Sequence, residues 1–248
     1  MTKRRLVISI GLAMLLLTIV IFYLFYFTKP HAFPMDDKLL KEMNSFYAEA
    51  HADVIQDVVY LDKQHVFVPY ISQENNYGLS FWVWKHRKWK VEEIDTNGDL
   101  RLWKINSKDS ATYHFVWNFP SNDQISYMKL YAIKQRGYHI SGDVHHYDPA
   151  VQLERKISLS EKTYGSIQLE TEWVSVIDEW NKLNEAMQPS LFFQPFIMYQ
   201  PMYFGWNTFD HSDTIIYPEH STVNSSILNN SVGIENVMFV NESELEYP

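Results

Sequence analysis

Residues 79–95, LSFWVWKHRKWKVEEID, contain two short runs whose side chains alternate between opposite sides of an extended chain. In the first run Phe81 and Val83 point to one side, as expected of a β-strand with its period of two residues. Trp82 and Trp84 point to the other side. Because apolar side chains occupy both sides, we expect the tryptophan pair to lie under a neighbouring helix or a second sheet.

The same pattern recurs from Val54 to Leu169, where short runs rich in β-branched and aromatic residues alternate with turn-forming residues. The runs are VIQDVVYL, HVFVPYI, LSFWVWK, WKVEEID, LRLWKI, ATYHFVW, QISYMKLYAIK, YHISGDVHH and VQLERKISLS. Connections this short cannot hold the crossover helices of a parallel sheet. The sequence therefore predicts eight or nine antiparallel strands, as a β-meander that closes into a barrel or folds into a sandwich.

Two amphipathic helices flank the β-region. Residues 36–53 carry an apolar stripe at helical spacing, with Asp36 or Asp37 as the expected cap. Residues 171–187 carry a second stripe, with Thr171 as the expected cap. The predicted fold class is a mainly-β (α+β) domain flanked by two helices and preceded by a single N-terminal transmembrane helix.

The transmembrane helix is expected at residues 6–27, LVISIGLAMLLLTIVIFYLFYF, which carry no charge and are long enough to cross a bilayer. Three cations in residues 1–5 precede this stretch, so the positive-inside bias puts the N-terminus in the cytoplasm. A cleaved secretory signal is the alternative, but no small-residue cleavage pattern follows the stretch. We therefore expect a single-pass cell-membrane protein with a signal-anchor, a linker at residues 28–35 and everything beyond it outside.

Charge and composition narrow the classes of partner. The part beyond the anchor has a formal charge of −12, since three of the 21 basic residues precede the anchor and all 30 acidic residues follow it. Such a domain is repelled by phosphate backbones and anionic headgroups, which disfavours nucleic-acid binding and a polybasic membrane patch. Cysteine is absent, which excludes disulfides, thiol catalysis and cysteine metal sites. A cysteine-free exterior domain on such an anchor is typical of bacteria with a single membrane.

A Gln-Pro repeat, QPSLFFQPFIMYQPMYFGW at residues 188–206, raises the question of an exposed binding surface. A spacing of six residues suits an extended chain and not a helix, and three prolines on one side are typical of an edge strand. The aromatic side chains either complete the core or form a surface for a protein partner or a glycan. They are Phe192, Phe193, Phe196, Tyr199, Tyr203, Phe204 and Trp206.

The weak metal candidates are Asp210, His211, Asp213 and His220, which with Glu219 form the densest set of oxygen and imidazole donors. A solvated loop explains the same residues. The DTNGD stretch at 95–99 has spacing reminiscent of a calcium loop, but Asn-Gly between two strands indicates a hairpin turn instead. The GDVHHYDP stretch at 142–149 offers a carboxylate and an imidazole on one strand face, a spacing that strand-end surface residues also show.

No motif indicates catalysis or a cofactor: the sequence has no G-x-S-x-G, phosphate-cradling glycine loop or H-E-x-x-H. A carboxylate pair brought together by folding remains an option for an envelope hydrolase. Tryptophans on predicted strands admit a cell-wall glycan binder, because aromatic rings stack on sugars. These are Trp82, Trp84, Trp89, Trp103 and Trp117.

These observations favour a membrane-anchored, non-catalytic protein that binds a protein partner at the cell envelope. A glycan-binding module is the alternative and an envelope hydrolase the third hypothesis. The β-rich domain is expected at residues 36–218, followed by an Asn/Ser-rich and acidic segment at 219–248 with a loose end.

Overall fold

The computed structural model describes residues 3–26, 29–121, 123–187, 202–218, 227–228 and 233–246. The chain is mainly β, with 42% of residues in strands, three helices and antiparallel sheets. The helices are α1 (Lys3–Tyr26), α2 (Asp36–Phe46) and α3 (Thr171–Met187). More of the chain therefore lies in strands than in helices, as the sequence predicts.

The strands follow in chain order. The first six are β1 (Ala52–Ile55), β2 (Val59–Tyr60), β3 (His65–Ser72), β4 (Tyr77–Lys85), β5 (Lys88–Asp95) and β6 (Arg101–Lys104). The next six are β7 (Tyr113–Asn118), β8 (Tyr127–Lys134), β9 (Gly137–Ser141), β10 (Val144–Asp148), β11 (Val151–Ser158) and β12 (Tyr164–Gln168). The last five are β13 (Tyr203–Phe209), β14 (Ile215–Ile216), β15 (Ile227–Leu228), β16 (Ile234–Asn236) and β17 (Met238–Phe239).

Helix α1 exposes every side chain that is described, from residue 8 to residue 23. Within the described residues, no helix has the length and hydropathy that crossing a membrane requires. The transmembrane helix expected at 6–27 is thus not confirmed here.

Helix α2 is shorter than the 36–53 that its sequence predicts. It buries Leu39 and Met43 and ends at Phe46. The side chain of Asn44 accepts from the amide of Ala52 and donates to its carbonyl, both at 2.8 Å, so residue 52 is held as the start of β1. A side chain that binds the backbone in this way competes with helical hydrogen bonds. The predicted cap is also wrong, because the N-cap position is Met35 and both aspartates lie in the first turn.

The long strands form three sheets rather than one meander. Sheet I has the order β1-β3-β4-β5-β15, with β2 also paired to β3; sheet II has the order β12-β7-β6-β16. Sheet III has the order β11-β8-β13-β14, with β17 also paired to β13. Strands β9 and β10 form a separate two-stranded hairpin. Within the described residues the structure is therefore a sandwich extended by a third sheet, and not a closed barrel.

Four apolar layers hold these elements together in series. The first lies between α2 and sheet I, the second between sheets I and II, and the third between sheet II and sheet III with α3. The fourth covers the outer face of sheet III around Val240. One fully buried tryptophan lies in each of the first three layers: Trp82, Trp103 and Trp206. The expectation that Trp82 and Trp84 lie under a helix is confirmed, since both pack in the α2 layer.

The C-terminal segment joins all three sheets. Strand β15 pairs with β5, β16 pairs with β6, and β17 runs parallel to β13. Val237 and Val240 are buried in the third and fourth layers. From the sequence, residues 219–248 are expected to lie outside the β-domain and to have a loose end. Their described residues are instead part of the same core.

The 95–99 turn is not the hairpin that Asn-Gly predicts. Strand β5 belongs to sheet I and β6 to sheet II, so the turn carries the chain from one sheet to the next. Asn118 on β7 fixes this crossing: its backbone amide donates to the carbonyl of Gly98 at 2.8 Å, and its side-chain amide donates to the carbonyls of Tyr70 and Gly78. One asparagine thus binds β3, β4 and the turn together.

Gly98 is required by this close approach. A Cβ there would overlap the carbonyl oxygen of Asn118, a backbone atom that cannot rotate away. We expect Gly98→Ala to lower the free energy of unfolding by about 3 kcal/mol, measured by urea denaturation. Gly142→Ala is the control, since a Cβ there meets open space and costs about 1 kcal/mol through its positive φ alone. Equal losses in the two variants would contradict the steric explanation.

Candidate functional site

A buried ion pair lies at the crossing between sheets I and II. Both Nε and Nη2 of Arg101 lie 2.6 Å from Oδ2 of Asp95, with the two side chains 7% and 1% exposed. The other oxygen of Asp95 accepts from the amide of Asn97, and the side chain of Asn97 bonds the amide and the carboxylate of Asp99. These bonds compensate the cost of removing the charges from water.

Glu93 lies two residues before Asp95 on the same face of β5 and is 1% exposed. Its Oε2 has no hydrogen-bond partner among the described residues. Burial, and then the negative charge of Asp95, raise the pKa of Glu93 to about 8. Burial also raises the pKa of Asp95, against the opposing effect of Arg101. Glu93 is therefore a buried carboxyl that stays protonated near neutral pH.

This carboxylate pair is badly placed for hydrolysis. A general acid and base must reach a substrate within hydrogen-bonding distance. Glu93 and Asp95 are at most 1% exposed, and Asp95 is engaged by Arg101. The pairs present in the sequence at 92–93 and 170–172 are no better placed, since Glu92 pairs with Lys85 and Glu170 pairs with Arg155.

The described metal candidates belong to the turn between β13 and β14. Oδ1 of Asp210 accepts from the amides of Ser212 and Thr214, and a carboxylate oxygen of Asp213 accepts from the hydroxyl of Tyr127 at 2.9 Å. No group of three or more His, Asp or Glu side chains is arranged to hold a metal in the part of the chain that is described. His220 and Glu219 lie outside the described residues, so the full predicted set is not tested.

Of the aromatic residues in the Gln-Pro repeat, only the last three are described by the structure. Phe192, Phe193, Phe196 and Tyr199 lie outside the described residues. Phe204 packs against Phe115 and Trp173, and Trp206 stacks on Phe119 and donates from Nε1 to the carbonyl of Val237. Tyr203 packs in the layer around Val240. These three side chains belong to the core rather than to an exposed partner surface.

The tryptophans proposed for glycan stacking are all buried. Their exposures are 0% for Trp82, 7% for Trp84, 7% for Trp89, 0% for Trp103 and 4% for Trp117. A sugar can stack only on a ring whose face reaches solvent. The five predicted residues therefore form no glycan platform.

The β9–β10 hairpin leaves apolar side chains in solvent. Tyr138 pairs with Tyr147 across the hairpin, and Ile140 pairs with His145, so these four side chains share one face. Tyr138 is 62% exposed, Ile140 56% and Tyr147 64%. The sequence predicts that Asp143 and His145 share a strand face, which is wrong because Asp143 lies in the turn between β9 and β10. His146 lies on the opposite face from His145, as predicted. We name Tyr138, Ile140, His145 and Tyr147 the hairpin face.

Positive charges gather at one end of sheet I, around three connections: the linker before α2, the β2–β3 turn and the β4–β5 turn. We name this set the basic end: Lys29, Lys63, Lys85, Arg87, Lys88 and Lys90. A groove beside it is lined by the linker, Tyr60, Gln64 and Trp89. Total charge disfavours a polybasic patch in the sequence analysis, yet folding concentrates cations here.

Sequence reasoning misses the two charged clusters for different reasons. The basic end has a visible signal, KHRKWK at 85–90, but such a run is also typical of an exposed turn between strands. The buried Glu93–Asp95–Arg101 cluster has no such signal, because strands with exposed carboxylates alternate in the same way.

No family model, no curated protein and no solved structure matches the chain. The arrangement of the described side chains is the basis for the proposals that follow.

The raised pKa of Glu93 predicts how stability changes with pH. A carboxyl that holds its proton more tightly in the folded state than in the unfolded state stabilises the fold at low pH. That contribution is lost as pH rises from about 4.5 toward about 8. We expect Glu93→Gln to raise the free energy of unfolding at pH 8.5 by up to about 5 kcal/mol, since the pKa rises from 4.5 to about 8 and each unit corresponds to about 1.4 kcal/mol.

The measurement is urea denaturation of both proteins from pH 5 to pH 8.5. The difference between them should shrink toward the acid end, where Glu93 is protonated in the folded protein. Glu92→Gln, next to it on the same strand, is the control and should show no such trend. A difference that does not vary with pH would contradict the proposed burial of a protonated carboxyl.

Proposed function

We propose that the chain is a single-pass, membrane-anchored, non-catalytic module that holds a protein partner at the cell envelope. In this proposal α1 is the anchor, with its N-terminus in the cytoplasm, and the β-domain lies outside. The hairpin face is the binding element. The observation that carries the proposal is the large exposure of apolar side chains on the β9–β10 hairpin.

The anchor is supported by the character of α1. The helix is 24 residues long, its first three residues are cationic, and the rest are uncharged. Its described side chains are exposed to between 50% and 65% at the large hydrophobic positions. A helix with apolar side chains on every side is typical of a helix that crosses the hydrocarbon core of a bilayer.

The partner is supported by the isolation of the hairpin. A two-stranded hairpin alone is at best marginally stable in water, and this one pairs with no other strand in the described part of the chain. Its outer backbone edges are therefore open to an added strand, the recognition mode in which main-chain bonds give affinity and alternate side chains give specificity. The tyrosines add large contact area with few rotatable bonds.

The hairpin face suits a protein better than a glycan or a substrate. Ile140 at its centre offers no hydrogen bond to a sugar, and no tryptophan lies on the face. The face has no carboxylate: its one ionisable side chain besides the tyrosines is His145, which bonds the hydroxyl of Tyr138. An extended apolar segment of a partner protein meets both the open edge and the apolar face.

The anchor predicts membrane association that survives high salt and alkaline carbonate washing. We expect the full chain to stay in the membrane fraction, and Leu15→Arg with Leu16→Arg to release it, because charges at the bilayer centre cost about 2.5–3.5 kcal/mol each. A protease added to intact cells should cleave a C-terminal tag. Full-length protein in the soluble fraction, or a tag protected until lysis, would contradict the anchor or its orientation.

The hairpin face predicts site-specific photo-crosslinking in intact cells. A photoreactive residue at Tyr138 or Tyr147 should yield the same adduct with one other protein, whereas one at Leu183, exposed to 50% on α3, should not. Ile140→Asp should reduce the adduct at least tenfold, because it places a charge in the apolar contact. Val144→Asp is the matched control, since Val144 is also 56% exposed but lies on the opposite face.

Two results would contradict this proposal. One is an adduct between two copies of this chain in place of a second protein. The other is equal loss in the two aspartate variants.

A further inference from the structure

We propose that the basic end of sheet I rests on an anionic lipid headgroup layer and fixes the orientation of the β-domain on the membrane. The proposal rests on the membrane anchor proposed above. The ligand is the phosphate-bearing surface of the bilayer, recognised by its negative charge. The hairpin face follows β8 of sheet III, and sheet II packs between that sheet and sheet I.

The linker fixes the basic end close to the end of α1. The carbonyl of His31 accepts a hydrogen bond from Nε1 of Trp89 at 3.0 Å. The centre of the His31 ring lies 5.4 Å from the ring centre of Trp84. The ring of Phe33 meets the edges of Trp82 and Trp89 at 5.5 and 5.0 Å. The linker is thus bound to sheet I. Lys29 lies three residues beyond the end of α1 at Tyr26, so even a fully extended chain keeps it within about 11 Å of that end.

The turns that carry the other cations lie at the same end of the sheet. The amide of Trp84 donates to the carbonyl of Gln64, which joins the β2–β3 turn to the end of β4. Trp84 pairs with Trp89, and the β4–β5 turn lies between them. Lys63 on the first turn lines the groove together with Lys29, and Arg87 lies on the second turn, between Trp84 and Trp89.

The charge of this end is opposite to that of the rest of the domain. Among its six cations lie Asp62, which pairs with His65, and Glu92, which pairs with Lys85 at 3.0 Å. Asp36 and Asp37 line a neighbouring groove that also contains Tyr60. Each Lys or Arg close to an anionic membrane contributes about 1 kcal/mol. Tyr60, 57% exposed beside the groove, has the amphipathic ring that favours the headgroup layer.

The backbone of the β4–β5 turn is costly for the residues that it carries. His86 and Arg87 form a two-residue turn with φ of 54° and 63°. Both values lie in the left-handed region, where Asn-Gly is strongly preferred and other residues cost about 1–2 kcal/mol each. Arg87 therefore stands at a turn position where glycine would be more stable.

The test uses the full chain inserted into lipid nanodiscs. The chain has no cysteine, so Gln64→Cys carries a single fluorescent donor at the basic end, and a headgroup-labelled lipid is the acceptor. We expect energy transfer to be at least twofold higher in nanodiscs with 30% phosphatidylglycerol than in pure phosphatidylcholine. The excess should disappear in 1 M NaCl, where the Debye length falls to about 3 Å.

Charge reversal locates the effect. Arg87→Glu with Lys88→Glu should abolish the excess, whereas Lys108→Glu with Lys182→Glu changes the total charge equally at exposed positions elsewhere and should leave it intact. His86→Asn with Arg87→Gly separates charge from folding. This variant should melt at a higher temperature than the wild type, because it suits the turn, and should still lose at least half of the excess.

Three other outcomes would overturn the headgroup contact. Insertion into nanodiscs with equal transfer from both lipids would overturn the headgroup contact and leave the anchor standing. Failure to insert would overturn both. A soluble glycerol-phosphate polymer that binds the basic end equally well in neutral nanodiscs would show that the surface serves a wall polyanion instead of the bilayer.

Discussion

The crossing from sheet I to sheet II is the constraint on which the rest of the molecule depends. The chain makes this crossing through a buried turn whose charges are compensated internally, with Arg101 bound to Asp95 at 2.6 Å. Asn118 supplies the remaining bonds, to the turn and to two strands of sheet I. Removing either partner would leave a charge or a backbone carbonyl unsatisfied in a core that excludes water. This crossing sets the position of sheet II, and sheet III packs on sheet II.

The layered order separates the two surfaces that we assign to function. The basic end belongs to sheet I, and the hairpin face follows directly from β8 in sheet III, with sheet II packed between them. A membrane contact at the first surface and a protein contact at the second do not compete for the same side chains. The C-terminal strands join all three sheets, which makes the two surfaces parts of one body.

Local patterns predict elements well where one face is clearly apolar. Helix α3 occupies the predicted 171–187, and the alternating runs become strands, because burial of a regular stripe dominates the energetics of each. Prediction fails where a side chain binds a distant backbone or where a glycine turns the chain. Asn44 ends α2 early by binding Ala52. YHISGDVHH is predicted as one strand but folds as two, because Gly142 takes a positive φ at the turn between them. Asn-Gly at 97–98 is a turn, as predicted, but joins two sheets instead of two paired strands.

The sequence by itself determines that this chain is a mainly-β protein with an apolar N-terminal helix, because hydrophobic periodicity is a property of neighbouring residues. Tertiary structure decides which strands share a sheet, which tryptophans are buried and which charges meet. Arg101 reaches Asp95 only when two sheets pack, and Lys29 and Lys63 line one groove only when the linker docks on sheet I. Contacts of this kind depend on the path of the chain in space, which cannot be read from total charge or from local residue spacing.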